Sequence, residues 1–92
     1  MRISRRHTLG IAEAKARLDD LAEELGRELS LTYRWRDGDL VFRGSGVDGT
    51  IGITQSSINI AVQLGFALMF VETKIRSAIE SALDHHIGAD KH

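Results

Sequence analysis

The stretch Leu29-Ser30-Leu31-Thr32-Tyr33-Arg34-Trp35-Arg36-Asp37-Gly38-Asp39-Leu40-Val41-Phe42-Arg43-Gly44 alternates apolar and polar residues on both sides of an Asp-Gly pair. Successive side chains of a strand point to opposite faces. Leu29, Leu31, Tyr33 and Trp35 therefore fall on one face, and Ser30, Thr32, Arg34 and Arg36 on the other. Asp37-Gly38-Asp39 reads as a tight turn, because glycine takes positive φ without penalty. Leu40 to Gly44 is the return strand, with Leu40 and Phe42 on the apolar side and Val41 and Arg43 opposite.

The period of two continues downstream. Gly44 to Gly49 is a second turn region, and Thr50 to Gln55 a third strand with Ile51 and Ile53 inward. Ser57 to Leu64 is the fourth, carrying Ile58, Ile60, Val62 and Leu64 on one face and Asn59, Ala61 and Gln63 on the other. Short turns between successive strands imply an antiparallel meander. Ile3 to His7 can add a fifth strand.

On either side of the meander the period becomes helical. Ile11, Ala14, Leu18, Leu21, Ala22 and Leu25 form one apolar stripe, with Gly10 as N-cap, Glu13 completing a capping box and Gly26 as the stop. After Gly65, the residues Leu68, Val71, Ile75, Ile79, Ala82, Leu83 and Ile87 form a second stripe along a helix of roughly six turns, closed by Gly88. Glu13–Arg17, Glu23–Arg27 and Glu72–Arg76 are spaced as i,i+4 pairs on solvated faces. A sheet with one apolar face and two one-sided helices packs in two layers. The predicted fold is α+β: an antiparallel meander of four or five strands covered by an N-terminal helix and a long C-terminal helix. By element order this resembles a reduced helix-grip domain, although the chain is too short for more than a small cavity.

The 92 residues make a single domain, 1–92. Without cysteine there is no disulfide frame and no thiolate nucleophile or metal ligand. Twelve Lys and Arg against thirteen Asp and Glu give a net charge of −1, so no global field favours nucleic acid or an anionic membrane. No apolar segment follows the basic start as in a signal peptide, and none is long enough to span a bilayer. The expected setting is cytoplasmic.

No catalytic, cofactor or metal site is legible. Ser45 lies between glycines but not in a nucleophile elbow, and the Gly46–Gly49 loop leads into a strand rather than a phosphate-binding helix. His85 and His86 are adjacent, which on a helix separates them by about 100° and argues against one shared ligand. Asp84, Asp90, His7 and His92 add no metal-ligand spacing. Arg34, Arg36 and Arg43 share a polar sheet face with Thr32, Thr54 and Asn59 but lack interleaved aromatics, because Tyr33, Trp35 and Phe42 face the core. A single-strand nucleic-acid reader is therefore not expected. Arg2, Arg5 and Arg6 read as a solvated basic end.

One feature exceeds what the fold needs. Phe66, Leu68, Met69, Phe70 and Val71 are apolar all round, whereas a helix on one sheet requires a single stripe. Phe66, Met69 and Phe70 must be covered by the first helix, by a homodimer partner or by a hydrophobic surface.

Arg6-His7-Thr8-Leu9-Gly10, Ala12-Glu13-Ala14, Trp35-Arg36-Asp37-Gly38-Asp39-Leu40-Val41-Phe42, Gly46-Val47-Asp48-Gly49 and Leu64-Gly65 form an ordered set over nearly the whole chain. In that set the chain resembles the polyhydroxyalkanoic acid system family, short proteins encoded beside genes for bacterial polyester storage granules. The resemblance implies a bacterial, intracellular setting and association with granules; it carries no activity onto these residues. The expectation is a non-enzymatic protein of the polyhydroxyalkanoate system that meets the granule surface or a second copy through Phe66, Met69 and Phe70. The alternative is a helix-grip-like carrier of a fatty-acyl-like ligand lined by Trp35, Phe42, Ile53 and Ile60.

Overall fold

A computed structural model describes residues 1–88. The elements are β1 (Arg2–Arg6), α1 (Gly10–Leu29), β2 (Thr32–Arg36), β3 (Asp39–Gly44), β4 (Val47–Ile53), β5 (Ser57–Leu64), a 3₁₀ segment (Phe66–Val71) and α2 (Glu72–His86). The fold is α+β, as expected. The five strands lie in the order β1-β5-β4-β3-β2 with every neighbouring pair antiparallel. Strands β2 to β5 are the meander, and β1 closes onto β5.

The β2–β3 hairpin turns through Asp37 and Gly38, both at positive φ (52° and 86°), the turn whose twist matches that of the strands. The next turn is tighter than expected. Gly46, at φ 79°, reverses the chain so sharply that Val47, Asp48 and Gly49 already belong to β4.

Leu18, Leu21 and Leu25 of α1 and Ile75, Ile79 and Leu83 of α2 pack on Leu40, Phe42, Ile51, Ile58, Ile60 and Val62 of the sheet. Both helices thus occupy the apolar face of one sheet, and among the described residues no element covers the other face. The α1 stripe is shorter at its start, because Ile11 is exposed.

Four local expectations are corrected. No side chain caps α1: Leu9, not Gly10, is the N-cap residue, and Glu13 instead accepts from Arg17 at 3.2 Å. Gly26 does not stop α1, since Ser30 takes the left-handed conformation and the Leu31 N–H bonds back to the Gly26 carbonyl at 3.0 Å. The long final helix begins as 3₁₀ and becomes α only at Glu72. Arg76 lies 3.7 Å from Glu80, in place of the expected pairing with Glu72. The other end is as read: Gly88, at φ 106°, donates to the Leu83 carbonyl at 3.0 Å.

Tyr33 and Trp35 lie on the helix side of the sheet but are not core residues, being 36% and 37% exposed. The reason is position: β2 is an edge strand whose five residues are all exposed. Thr54 sits in the β4–β5 turn rather than on the polar face, where its hydroxyl accepts the Ser57 N–H at 2.9 Å. Among the described residues no helix is long and apolar enough to cross a membrane.

Candidate functional site

The 3₁₀ segment has no buried residue. Its period of three stacks side chains in three rows, i over i+3. Leu68 points inward and rests on Gly46, where an added Cβ would lie 3.1 Å from the Leu68 Cδ1. The Gly65 N–H donates to the Gly46 carbonyl at 2.8 Å and anchors the segment's entry. With Leu68 and this bond fixing one side, the rest faces out: Phe66 is 83%, Met69 57% and Phe70 87% exposed, with Val71 beside them. Met69 adjoins Met1 and Leu64 at the end of the sheet. The three residues singled out from sequence are therefore gathered on one short segment, and α1 does not cover them.

The proposed ligand-lining residues are not gathered in this way. An apolar crevice of about 20 Å³ lies between the helices and the sheet, and Phe42 and Ile60 line it with Leu25, Leu31 and Ile79. Trp35 and Ile53 are not among its walls. Trp35 Nε1 instead donates to Asp19 Oδ1 of α1 at 3.0 Å. The crevice has room for roughly one water-sized group, and its apolar walls offer a water no partner.

Two residues at the start of the chain act differently from the expected solvated end. Arg5 is 8% exposed and His7 is 4% exposed. Arg5 Nη1 donates to Asp84 Oδ1 and to the Gly88 carbonyl, tying β1 to the C-terminal end of α2. Opposite charge is also favourable there, because the last carbonyls of a helix point outward. The Leu9 N–H donates to His7 Nδ1 at 3.1 Å, so the ring proton sits on Nε2, which lies 3.2 Å from the Thr54 carbonyl. His7 thereby clamps the β4–β5 turn to the start of α1. Their partners lie 79 and 47 residues away, beyond the reach of any local pattern.

The geometric argument against a shared ligand for His85 and His86 is also corrected. Their rings meet edge to face with centroids 4.8 Å apart. His86 Nε2 donates to Glu24 Oε1 of α1 at 3.0 Å. One donor atom from each of Glu24, His85 and His86 lies within 4.8 Å of the others. The 100° between adjacent residues describes Cα–Cβ directions; the imidazole arms are long enough to converge beyond them. Asp90 and His92 lie outside the described residues.

On the bare face of the sheet, Arg34, Arg36 and Arg43 are exposed, with Thr32 opposite Arg43 and Asp39 opposite Arg36. Asp48 opposes Arg43 on the other side.

The family model described as "Putative polyhydroxyalkanoic acid system protein (PHA_gran_rgn)" matches residues 1–87. No curated protein and no solved structure matches the chain.

Proposed function

This chain belongs to the polyhydroxyalkanoic acid system family, and from that premise we propose that it is a non-enzymatic protein that adsorbs to the surface of polyhydroxyalkanoate granules through Phe66, Met69 and Phe70. The observation that carries this reading is the near-complete exposure of two phenylalanines on an anchored segment. A phenylalanine presents about 150–250 Å² of surface. Covering one such side chain is worth about 1.5–3 kcal/mol. An aliphatic polyester surface can cover both rings and Met69 at once, and little ordering entropy is lost, because Leu68 and the Gly65–Gly46 bond already hold the segment. The α1 and α2 charges keep the remaining surface hydrated.

Sedimentation of purified protein with isolated granules, against inert hydrophobic beads, tests the reading. Selective and saturable binding is the expected result. Equal uptake by both surfaces would reduce it to nonspecific adhesion. Size-exclusion chromatography of the same samples separates a granule face from a homodimer face: a dimer that dissociates when Phe66 and Phe70 are replaced would assign these residues to self-association. Absent granule binding, a fatty acid retained in native mass spectrometry would favour the carrier.

A further inference from the structure

We infer that Glu24, His85 and His86 form a binding site for a divalent transition-metal ion of the zinc type, clipping α1 to the last turn of α2. The donor set is two imidazoles and one carboxylate, a combination that suits Zn²⁺ and its neighbours rather than Mg²⁺ or Ca²⁺. The donors lie within 4.8 Å of one another, and a tetrahedral ion with bonds of about 2.0–2.1 Å requires about 3.3 Å between them. Glu24 and His86 already meet at 3.0 Å. His85 is exposed and free to swing the remaining distance, leaving a fourth position for water.

The supporting elements are rigid. Leu21, Ala22 and Leu25 flank Glu24, Ala82 and Leu83 precede the histidines, and all five are buried. His85 and His86 occupy the last turn of α2, where outward-pointing carbonyls favour a cation. Arg17 Nη1 reaches the His86 carbonyl at 3.4 Å, so one carbonyl there is already engaged and the ion takes its ligands from side chains. The site is remote in kind from the apolar segment: it joins helices and presents no hydrophobic surface.

Calorimetric titration of untagged, chelator-treated full-length protein with ZnCl₂ tests the inference. One ion per chain at micromolar affinity is expected, with the unfolding midpoint raised by about 5 °C at saturating zinc. His85→Ala and Glu24→Gln should each weaken binding at least tenfold. Co²⁺ should give the visible absorption of tetrahedral coordination, and His85→Ala should abolish it. His85→Ala is the discriminating variant, because the Glu24–His86 bond survives in it and its fold is retained. Zinc binding weaker than millimolar, or affinity unchanged in His85→Ala, would overturn the site and leave Glu24–His86 as a hydrogen bond between helices.

Discussion

The two ends of the last helical stretch are built in opposite ways. Its entry, Phe66 to Val71, shows large apolar side chains to solvent. Its exit draws the buried Arg5 into hydrogen bonds with Asp84 and the Gly88 carbonyl, and His86 into one with Glu24. Among the described residues no buried side-chain polar atom lacks a partner. The protein thus satisfies its polar groups fully at one end and leaves apolar groups uncovered at the other. Burying an unpaired polar group destabilises the fold itself, whereas exposing an apolar one forgoes a gain that another surface can supply.

The sharpest way to break this contrast is to make the entry polar. Phe66→Ser with Phe70→Ser should lower granule partition at least a hundredfold, from about 1.5–3 kcal/mol per ring. Chemical denaturation should show the fold unchanged within about 0.5 kcal/mol, as for other exposed sites. Retained binding by the folded double variant would remove the entry from the interaction.

At the exit the expected effect is smaller and falls on stability. Asp84→Ala leaves the Arg5 guanidinium buried with, among the described residues, only the Gly88 carbonyl, which should cost about 2 kcal/mol. Arg5→Met removes the charge together with its need for a partner and should cost about 1 kcal/mol or less. If urea midpoints rank the two variants the other way, packing of the arginine stem, not its charge, holds β1.

The hairpin was legible because alternation and an Asp-Gly pair are local signals, and β2 and β3 carry both. The surplus of Phe66, Met69 and Phe70 was legible as a count of apolar residues beyond one stripe. Its 3₁₀ geometry was not, since six apolar residues do not separate a period of 3.0 from 3.6. The end of α1 was misread because Gly26 lies inside it and a serine, not a glycine, takes the left-handed cap. The roles of Arg5, His7 and the Glu24–His85–His86 group were not legible for one reason: each depends on a partner brought near by the sheet and the helix pair. No spacing along the chain encodes that.

Two glycine substitutions sharpen the contrast at lower amplitude. Gly46→Ala forces a side chain into positive φ and against Leu68, so it should cost about 1–2 kcal/mol and loosen the seat of the apolar entry. Thermal unfolding measures the cost. Gly49→Ala should act in the opposite sense. Its Cβ would meet the Ala61 carbonyl oxygen at 3.4 Å, Val62 at 3.7 Å and Phe42 at 4.0 Å, the first at the lower edge of ordinary contact, beside the small crevice. A gain of about 0.5 kcal/mol is expected from the strand entropy alone. A loss there would mean that the sheet needs the empty space.

The placement of β1 has a consequence for the order in which the molecule assembles. The Met1 amino group bonds to the Val62 carbonyl across 61 residues, and Arg5 reaches Asp84 across 79. The meander can form from nearer neighbours, but the first strand has no binding edge until β5 exists and no partner for Arg5 until α2 ends. The first strand is thus expected to dock after the meander, because its pairing requires β5 in place. In pulse-labelled hydrogen exchange, the amides of Arg2 to Arg6 should gain protection after those of β3 and β4.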